Sequence, residues 1–177
     1  QSIRPWAPDV HLQTIAETAL PVLTRALAGV KLVTGWNPAE LKRLKGNAEH
    51  RMATELAMSD SYAKAIRSAI PEDGVVCFDI TQLGYHAWWG YPTYAPRTII
   101  RAGYQGTLGY AFPTSLGAKV GRPDRPVVCV TGDGGYMFAA QELATAVQHK
   151  INLVTVVMND GAFGNVRRSQ DEVYRRE

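Results

Sequence analysis

The sequence has no long apolar segment and only two cysteines. A membrane-spanning helix needs about 20 consecutive apolar residues. No run in this chain approaches that length, so no membrane association is predicted. Cys77 and Cys129 each lie in a short apolar run that is typical of a buried strand. Buried free thiols are therefore expected instead of a disulfide or a metal site, which suits a reducing compartment such as the cytoplasm.

The chain also has little net charge. The 177 residues carry a net charge of +3, and the basic residues are dispersed, so no nucleic-acid partner is predicted. Near the C-terminus, Arg167, Arg168 and Arg175 stand among acidic residues, which indicates a solvated helix face. The chain has no signal-peptide pattern at Gln1, lacks an initiator methionine and stops within this charged run. We expect it to be part of a longer polypeptide.

What is present is an alternation of apolar strands and amphipathic helices. Strand patterns occupy residues 75–79, 97–101, 127–131 and 153–158, and helical patterns occupy 59–69, 113–120 and 138–148. This alternation predicts an α/β fold with a parallel sheet flanked by helices. Two segments precede it. One is a helical pattern over residues 11–28, with a break or a new first turn expected at Pro21, and the other is a polar helical linker.

Two polar turns follow two successive strands of this predicted sheet. The first is Gly132-Asp133-Gly134-Gly135, and the second is Asn159-Asp160-Gly161. In an open parallel sheet, ligands bind outside the carboxyl ends of the strands. Glycines let backbone N–H groups converge on an anion. The Asp133 carboxylate would repel a phosphate, however, unless a cation lay between them.

Mg²⁺ is such a cation, because it prefers oxygen ligands and commonly combines one or two carboxylates with phosphate oxygens. The second turn would add oxygens from Asn159, from Asp160 and from the backbone near Ala162. Either turn alone is a common structural tripeptide. Together, at adjacent strand ends, the two turns predict a site for a phosphate and a metal ion.

The Gly132-Asp133-Gly134 turn, separated by 24 residues from Asn159-Asp160, resembles the cofactor motif of thiamin-diphosphate-dependent enzymes. The similarity is strongest with the branch that contains acetolactate synthase, benzoylformate decarboxylase and pyruvate oxidase. Residues 79–82, 106–113 and 141–143 also resemble that branch, and the similarity extends over residues 53–168. The resemblance implies a thiamin-diphosphate-binding fold, preceded by the helical linker.

The resemblance implies a role for each matching residue. Asp133, Asp160 and the carbonyl of Ala162 would bind Mg²⁺. Leu108 would be the apolar wedge that bends the cofactor, so that its aminopyrimidine approaches the thiazolium carbon. The other residues expected at the cofactor are Gln82, Gly106, Thr107, Gly132, Gly134, Gly135 and Asn159. Asp160 stands where relatives more often carry asparagine, which keeps the oxygen ligand and adds a charge.

The resemblance also implies a larger protein. Residues 1–28 would be the tail of a central domain, 29–52 the linker, and 53–177 a pyrophosphate-binding domain truncated at its C-terminus. The protein would be a 2-oxo-acid decarboxylase or carboligase that acts as a homodimer or homotetramer. No catalytic residue is expected in this chain, because the family's activating glutamate lies on a separate domain, so the isolated chain should be inactive. FAD, used by some relatives, would bind to the central domain of the full-length protein.

Two other functions fit the same residues. The chain could belong to a non-catalytic or regulatory subunit that keeps the cofactor site, or it could be a nucleotide-binding α/β domain. Gly103, Gly106 and Gly109 do not have the dinucleotide-binding spacing, and no acidic residue follows a second strand at the usual distance. His86, in a predicted aromatic loop, could be an acid or base, although packing or a surface position is commoner for such a histidine.

Overall fold

A computed structural model describes residues 8–31, 35 and 37–175. The chain divides into one unit of residues Gln1–Arg43 and a second of Leu44–Glu177. The boundary between them falls inside a helix. The domain limits expected at residues 28 and 52 stay predictions.

Helix α1 (Ala16–Leu27) has no buried residue. It begins later than the helical pattern, which starts at His11, and it continues through Pro21, so the break or new first turn expected at Pro21 was wrong. The fixed φ of proline is compatible with a helix, and its missing N–H removes only one backbone hydrogen bond. None of the described helices is both long and apolar enough to cross a membrane.

Helix α2 (Pro38–Glu55) is polar along its length and also has no buried residue. Proline stands at its first position, where the missing N–H is not needed. The Oδ1 atom of Asn37 accepts a hydrogen bond from the N–H of Ala39 at 2.9 Å. This local capping stabilises the start of the helix.

All four predicted strands are present and pair in parallel, which confirms the predicted fold class. They are β1 (Val75–Phe78), β2 (Ile99–Arg101), β3 (Val127–Gly132) and β4 (Val154–Met158), in the spatial order β2-β1-β3-β4. Cys77 lies opposite Cys129, and Gly132 lies opposite Met158. Strand β1 is buried throughout, because the central strands of such a sheet are covered on both faces.

Six α-helices accompany the strands in the described part of the second unit. They are α3 (Ala57–Ala69), α4 (Gln82–Gly90), α5 (Ala111–Gly121), α6 (Asp133–Met137), α7 (Leu143–Gln148) and α8 (Gly164–Tyr174). Side chains alternate between the two faces of a strand, so two apolar layers form. One contains Phe78 with Leu83 of α4. The other contains Cys77 and Cys129 with Phe112 of α5.

The segment predicted as an aromatic loop is instead helix α4. Thr81 is the N-cap residue of this helix. Its Oγ1 atom accepts a hydrogen bond from the N–H of Gly84 at 2.8 Å, as is usual for an N-cap threonine. Leu83 and His86 are buried, whereas Trp89 is exposed. The threonine cap was the sequence signal for this helix, and the exposed aromatic residues obscured its periodicity.

The helix predicted over residues 138–148 is also different from expectation. Helix α6 begins already at Asp133 and ends at Met137, a 3₁₀ turn occupies Ala140–Glu142, and α7 begins at Leu143. The first polar turn is therefore itself the start of a helix. This places its backbone N–H groups at a helix N-terminus, where they have no partner within the helix.

Both cysteines are buried and free, as predicted. Burial raises the pKa of Cys77 to about 11 and that of Cys129 to about 12. Neither side chain is therefore a thiolate at neutral pH, and the two thiols act as small apolar groups in the core.

Candidate functional site

A cleft with a volume of about 450 Å³ opens at the carboxyl ends of β1, β3 and β4. Its walls come from the first turns of α4, α6 and α8, from the start of α3 and from the loop before α5. The sheet order explains the assembly, because β3 lies between β1 and β4 and all three strands end at the same edge. Nine of the eleven residues predicted at the site line this cleft: Gln82, Leu108, Gly132, Asp133, Gly134, Gly135, Asn159, Asp160 and Ala162.

The first turn joins β3 to α6, with Gly132 as the N-cap residue. A Cβ atom on Gly134 would lie 2.7 Å from the Cε1 atom of Phe163. A Cβ atom on Gly135 would lie 3.1 Å from the Oδ2 atom of Asp79. A side chain at position 134 would therefore push against the Phe163 ring, and both glycines line the cleft.

The second turn joins β4 to α8 and is held by its own side chains. The Oδ1 atom of Asn159 accepts a hydrogen bond from the N–H of Gly161 at 3.0 Å. The Oδ1 atom of Asp160 accepts a hydrogen bond from the N–H of Ala162 at 3.1 Å. Gly161 has a φ of +64°, which glycine adopts without strain. These two Asx turns fix the backbone of the segment and leave the Asp160 carboxylate exposed in the cleft.

The loop before α5 carries Leu108 into the cleft, where it is half-buried. Gly109 has a φ of +78°, and a Cβ atom there would lie 2.7 Å from the Cβ atom of Phe138. The loop is therefore shaped by a glycine that no other residue could replace without strain. Gly106 and Thr107, the two other residues predicted in this loop, do not line the cleft.

Two polar side chains at the site were not foreseen. The carboxylate of Asp79, at the end of β1, is buried behind the cleft and accepts hydrogen bonds from the loop of Leu108 and from Thr131. Asn165, in the first turn of α8, accepts a hydrogen bond from the Nε2 atom of Gln82 at 2.8 Å. Asp79 had a sequence signal, since it ends an apolar strand. Asn165 had none, because its partner is distant in sequence.

The donor set suits a metal ion that shares its coordination with a bound phosphate. Asp133 and Asp160 line the same cleft from neighbouring strand ends. In the described ranges, no group of three or more His, Cys, Asp or Glu side chains could hold a metal ion alone. Mg²⁺ fits this arrangement, because it usually takes one or two carboxylates and completes its shell with water and phosphate oxygens.

His86 does not reach the cleft. It is 2% exposed, and its ring nitrogens have no hydrogen-bond partner among the described residues. The nearest carboxylate oxygen is the Oδ1 atom of Asp60, 3.6 Å from Nε2. Burial lowers the pKa of His86, Asp60 opposes this shift, and Lys64 adds to it. Of the two commoner positions named for this histidine, packing or the surface, the structure shows the packed one.

Sequence comparison relates the chain to one family of enzymes. Residues 79–177 match the family described as thiamine pyrophosphate enzyme, C-terminal TPP binding domain; thiamine pyrophosphate is another name for thiamin diphosphate. A probable 2-ketoarginine decarboxylase from Pseudomonas aeruginosa is 37% identical over 130 residues, which cover 73% of this chain and 23% of that protein. Acetolactate synthase from Bacillus subtilis is 38% identical over 116 residues, 64% of this chain and 20% of the synthase.

Structure comparison agrees on the fold. The thiamine diphosphate-dependent 4-hydroxybenzoylformate decarboxylase of Rhodococcus jostii superposes with a TM-score of 0.61 at 24% identity. The match covers 67% of this chain and 22% of the decarboxylase. The chain thus spans about a quarter of the length of the curated relatives that it matches. It belongs to the thiamine pyrophosphate enzyme family and carries the C-terminal domain that binds the cofactor in that family.

Proposed function

We propose that the cleft binds thiamin diphosphate together with Mg²⁺. The observation that carries this proposal is that two oxygen-bearing turns and Leu108, which lie far apart in sequence, line one cleft. A diphosphate needs N–H donors and a cation, whereas the cofactor's rings need apolar surface. The residues that line the cleft include the glycines, the two carboxylates and Leu108.

We assign the diphosphate and metal contacts to the two turns. Asp133, Asp160 and the carbonyl of Ala162 bind Mg²⁺, which neutralises the charge that the carboxylates would otherwise set against a phosphate. The N–H groups of Gly134 and Gly135 donate to the diphosphate from the first turn of α6. Gln82, Gly132 and Asn159 complete the surroundings of the diphosphate.

Leu108 is assigned to the rings of the cofactor. It projects from a loop whose backbone is held by Gly109, so its side chain has a defined place at the edge of the cleft. An apolar side chain there excludes water and limits the conformations that the rings can adopt. The contacts assigned to Gly106 and Thr107 rest on the family resemblance alone.

The whole protein is proposed to act on a 2-oxo acid as a decarboxylase or carboligase of the acetolactate synthase type. When bound, thiamin diphosphate supplies an electron sink for the carbanion that decarboxylation generates. This chain contributes binding, orientation and charge neutralisation, and the activating glutamate comes from another domain. Residues 53–177 form the cofactor domain, 29–52 a linker and 1–28 the tail of a central domain, which is where FAD would bind. A homodimer or homotetramer is proposed, and the two free cysteines favour the cytoplasm.

Isothermal titration calorimetry of the full-length protein tests the cofactor assignment. Thiamin diphosphate should bind in the presence of Mg²⁺ and should lose most of its affinity when EDTA removes the metal. NAD with Mg²⁺ is the comparison ligand and should give no saturable heat. Saturable binding of NAD without binding of thiamin diphosphate would instead favour a nucleotide-binding domain.

A second measurement separates an enzyme from a non-catalytic subunit. The full-length protein, loaded with thiamin diphosphate and Mg²⁺, should release carbon dioxide from at least one member of a panel of 2-oxo acids. Cofactor binding without turnover of any acid in the panel would favour the regulatory subunit. The isolated chain of 177 residues should show no turnover, because it lacks the activating glutamate.

A further inference from the structure

The carboxylate of Asp79 is buried where β1 ends, and none of the contacts assigned to the cofactor uses it. It is 2% exposed. The donors that the structure records for it are neutral: a hydroxyl and three backbone N–H groups. Burying such a group is costly unless its hydrogen bonds are made, so the network around Asp79 constrains whatever it joins.

One oxygen of this carboxylate joins the two sides of the cleft. The Oδ2 atom accepts a hydrogen bond from the N–H of Gly109 at 3.1 Å and from the Oγ1 atom of Thr131 at 3.0 Å. Gly109 directly follows Leu108, and Thr131 directly precedes the turn that begins at Gly132. We propose that Asp79 is a positioning residue that holds Leu108 at a fixed place relative to the diphosphate turn.

The two sides depend on Asp79 to different degrees. The diphosphate turn is also held by strand pairing, since Gly132 lies opposite Met158 in the register of β3 and β4. The Leu108 loop belongs to no strand. It is joined to the Asp79 carboxylate through the N–H of Gly109, the residue that follows Leu108. Loss of Asp79 should therefore displace Leu108 more than it displaces the turn.

This inference rests on the proposed function, and its test compares two ligands. Asp79→Asn keeps the size of the side chain but replaces one acceptor oxygen with a donor. The affinities of the full-length protein for thiamin diphosphate and for inorganic pyrophosphate are measured by calorimetry, both with Mg²⁺. Pyrophosphate uses only the turns. We expect the affinity for thiamin diphosphate to fall about ten-fold, as for loss of one apolar side-chain contact, and that for pyrophosphate to fall much less.

A double-mutant cycle shows whether Asp79 acts through Leu108. Leu108→Ala should weaken the binding of thiamin diphosphate by itself and leave that of pyrophosphate unchanged. If Asp79 acts by placing Leu108, the double variant should bind thiamin diphosphate no more weakly than Leu108→Ala alone. Additive losses would mean that Asp79 supports the fold in general.

Thr98→Val is the matched control, because Thr98 is a buried threonine that donates one hydrogen bond, to the carbonyl of Ala95 at 2.7 Å. It lies before β2, away from the cleft, and its loss should change neither affinity. If Asp79→Asn does not fold, Thr131→Val removes one donor to the same oxygen and should show the same selectivity, with a smaller loss.

Three results would overturn the inference. The first is an equal loss of affinity for the two ligands in Asp79→Asn, or in Thr131→Val where that variant is used. The second is a double-mutant cycle in which the losses are additive. Failure of the wild-type protein to bind thiamin diphosphate at all would overturn the proposed function and this inference together, and it is distinguished by the wild-type titration itself.

Discussion

Gly134 packs directly against the ring of Phe163, so the two turns of the cleft touch each other. A Cβ atom at position 134 would lie 2.7 Å from the Cε1 atom of that ring. Gly134 belongs to the turn after β3, and Phe163 precedes α8. The absence of a methyl group at position 134 therefore lets the Phe163 ring lie against the first turn, where it lines the cleft.

Gly134→Ala should consequently weaken the binding of thiamin diphosphate, because the methyl group would displace the Phe163 ring, which lines the cleft. We expect a loss of about ten-fold or more, since overpacking of a close contact costs about 1–3 kcal/mol. Calorimetry with Mg²⁺ measures it. Gly117→Ala is the control, because no atom lies within 4 Å of a Cβ atom placed there in α5. That variant should bind normally and be slightly more stable.

Asp160 should contribute charge as well as an oxygen ligand. Asp160→Asn is expected to keep Mg²⁺-dependent binding of thiamin diphosphate but to need a higher Mg²⁺ concentration. Asp160→Ala is expected to lose the metal dependence, because the ligand itself is gone. Titration of Mg²⁺ at saturating cofactor measures both effects. Asp124→Asn, an exposed residue paired with Arg122, is the control, and the prediction fails if Asp160→Ala titrates like the wild type.

His86 should make the protein less stable at acidic pH. Burial lowers the pKa of its side chain from the ordinary value of 6.5, so the unfolded state binds a proton at a higher pH than the folded state. The free energy of unfolding therefore has its full value above about pH 6.5 and decreases as the pH falls below that value toward the lowered pKa.

Urea unfolding of wild type and His86→Leu between about pH 8 and pH 5 tests this effect. The leucine variant should lose less stability on acidification than the wild type, because the buried titrating group is absent. His149→Gln changes an exposed histidine and should follow the wild-type curve. Parallel curves for the wild type and His86→Leu would contradict the prediction.

The two cysteines should be unreactive in the folded protein. Burial raises the pKa of Cys77 to about 11 and that of Cys129 to about 12, and the thiolate is the reactive form. Iodoacetamide at neutral pH should label neither residue in the native state and both in guanidinium, as measured by mass spectrometry of the digested chain. Rapid native labelling of either residue would show that the sheet opens locally.

Much of the fold followed from patterns that are local in sequence. The four strands were recognisable because each is a short apolar run, and the parallel sheet was inferred from the repeated alternation of strands and helices along the chain. The break or new first turn at Pro21 and the aromatic loop where α4 lies were wrongly predicted, since single residues were given more weight than the hydrogen bonds around them. Thr81 caps α4, and that one bond decides where the helix starts.

The site was predictable to the extent that its residues sit at strand ends. Asp133 and Asp160 could be placed at one edge from the order of the elements alone, because the carboxyl ends of parallel strands share an edge. Gly106 and Thr107 do not line the cleft although Leu108 does. Which residue of a loop faces inward is set by backbone angles such as the φ of +78° at Gly109, and composition does not encode them.

The sequence by itself determined the fold class, the family and the edge of the sheet at which the oxygen-bearing side chains gather, because each depends on short segments and their order. Only the tertiary structure decided that Asp79 joins Gly109 to Thr131, that Gln82 bonds to Asn165 and that Gly134 packs on Phe163. Each of these contacts unites residues far apart in the chain. Such contacts exist only once packing has brought the strands and their turns together.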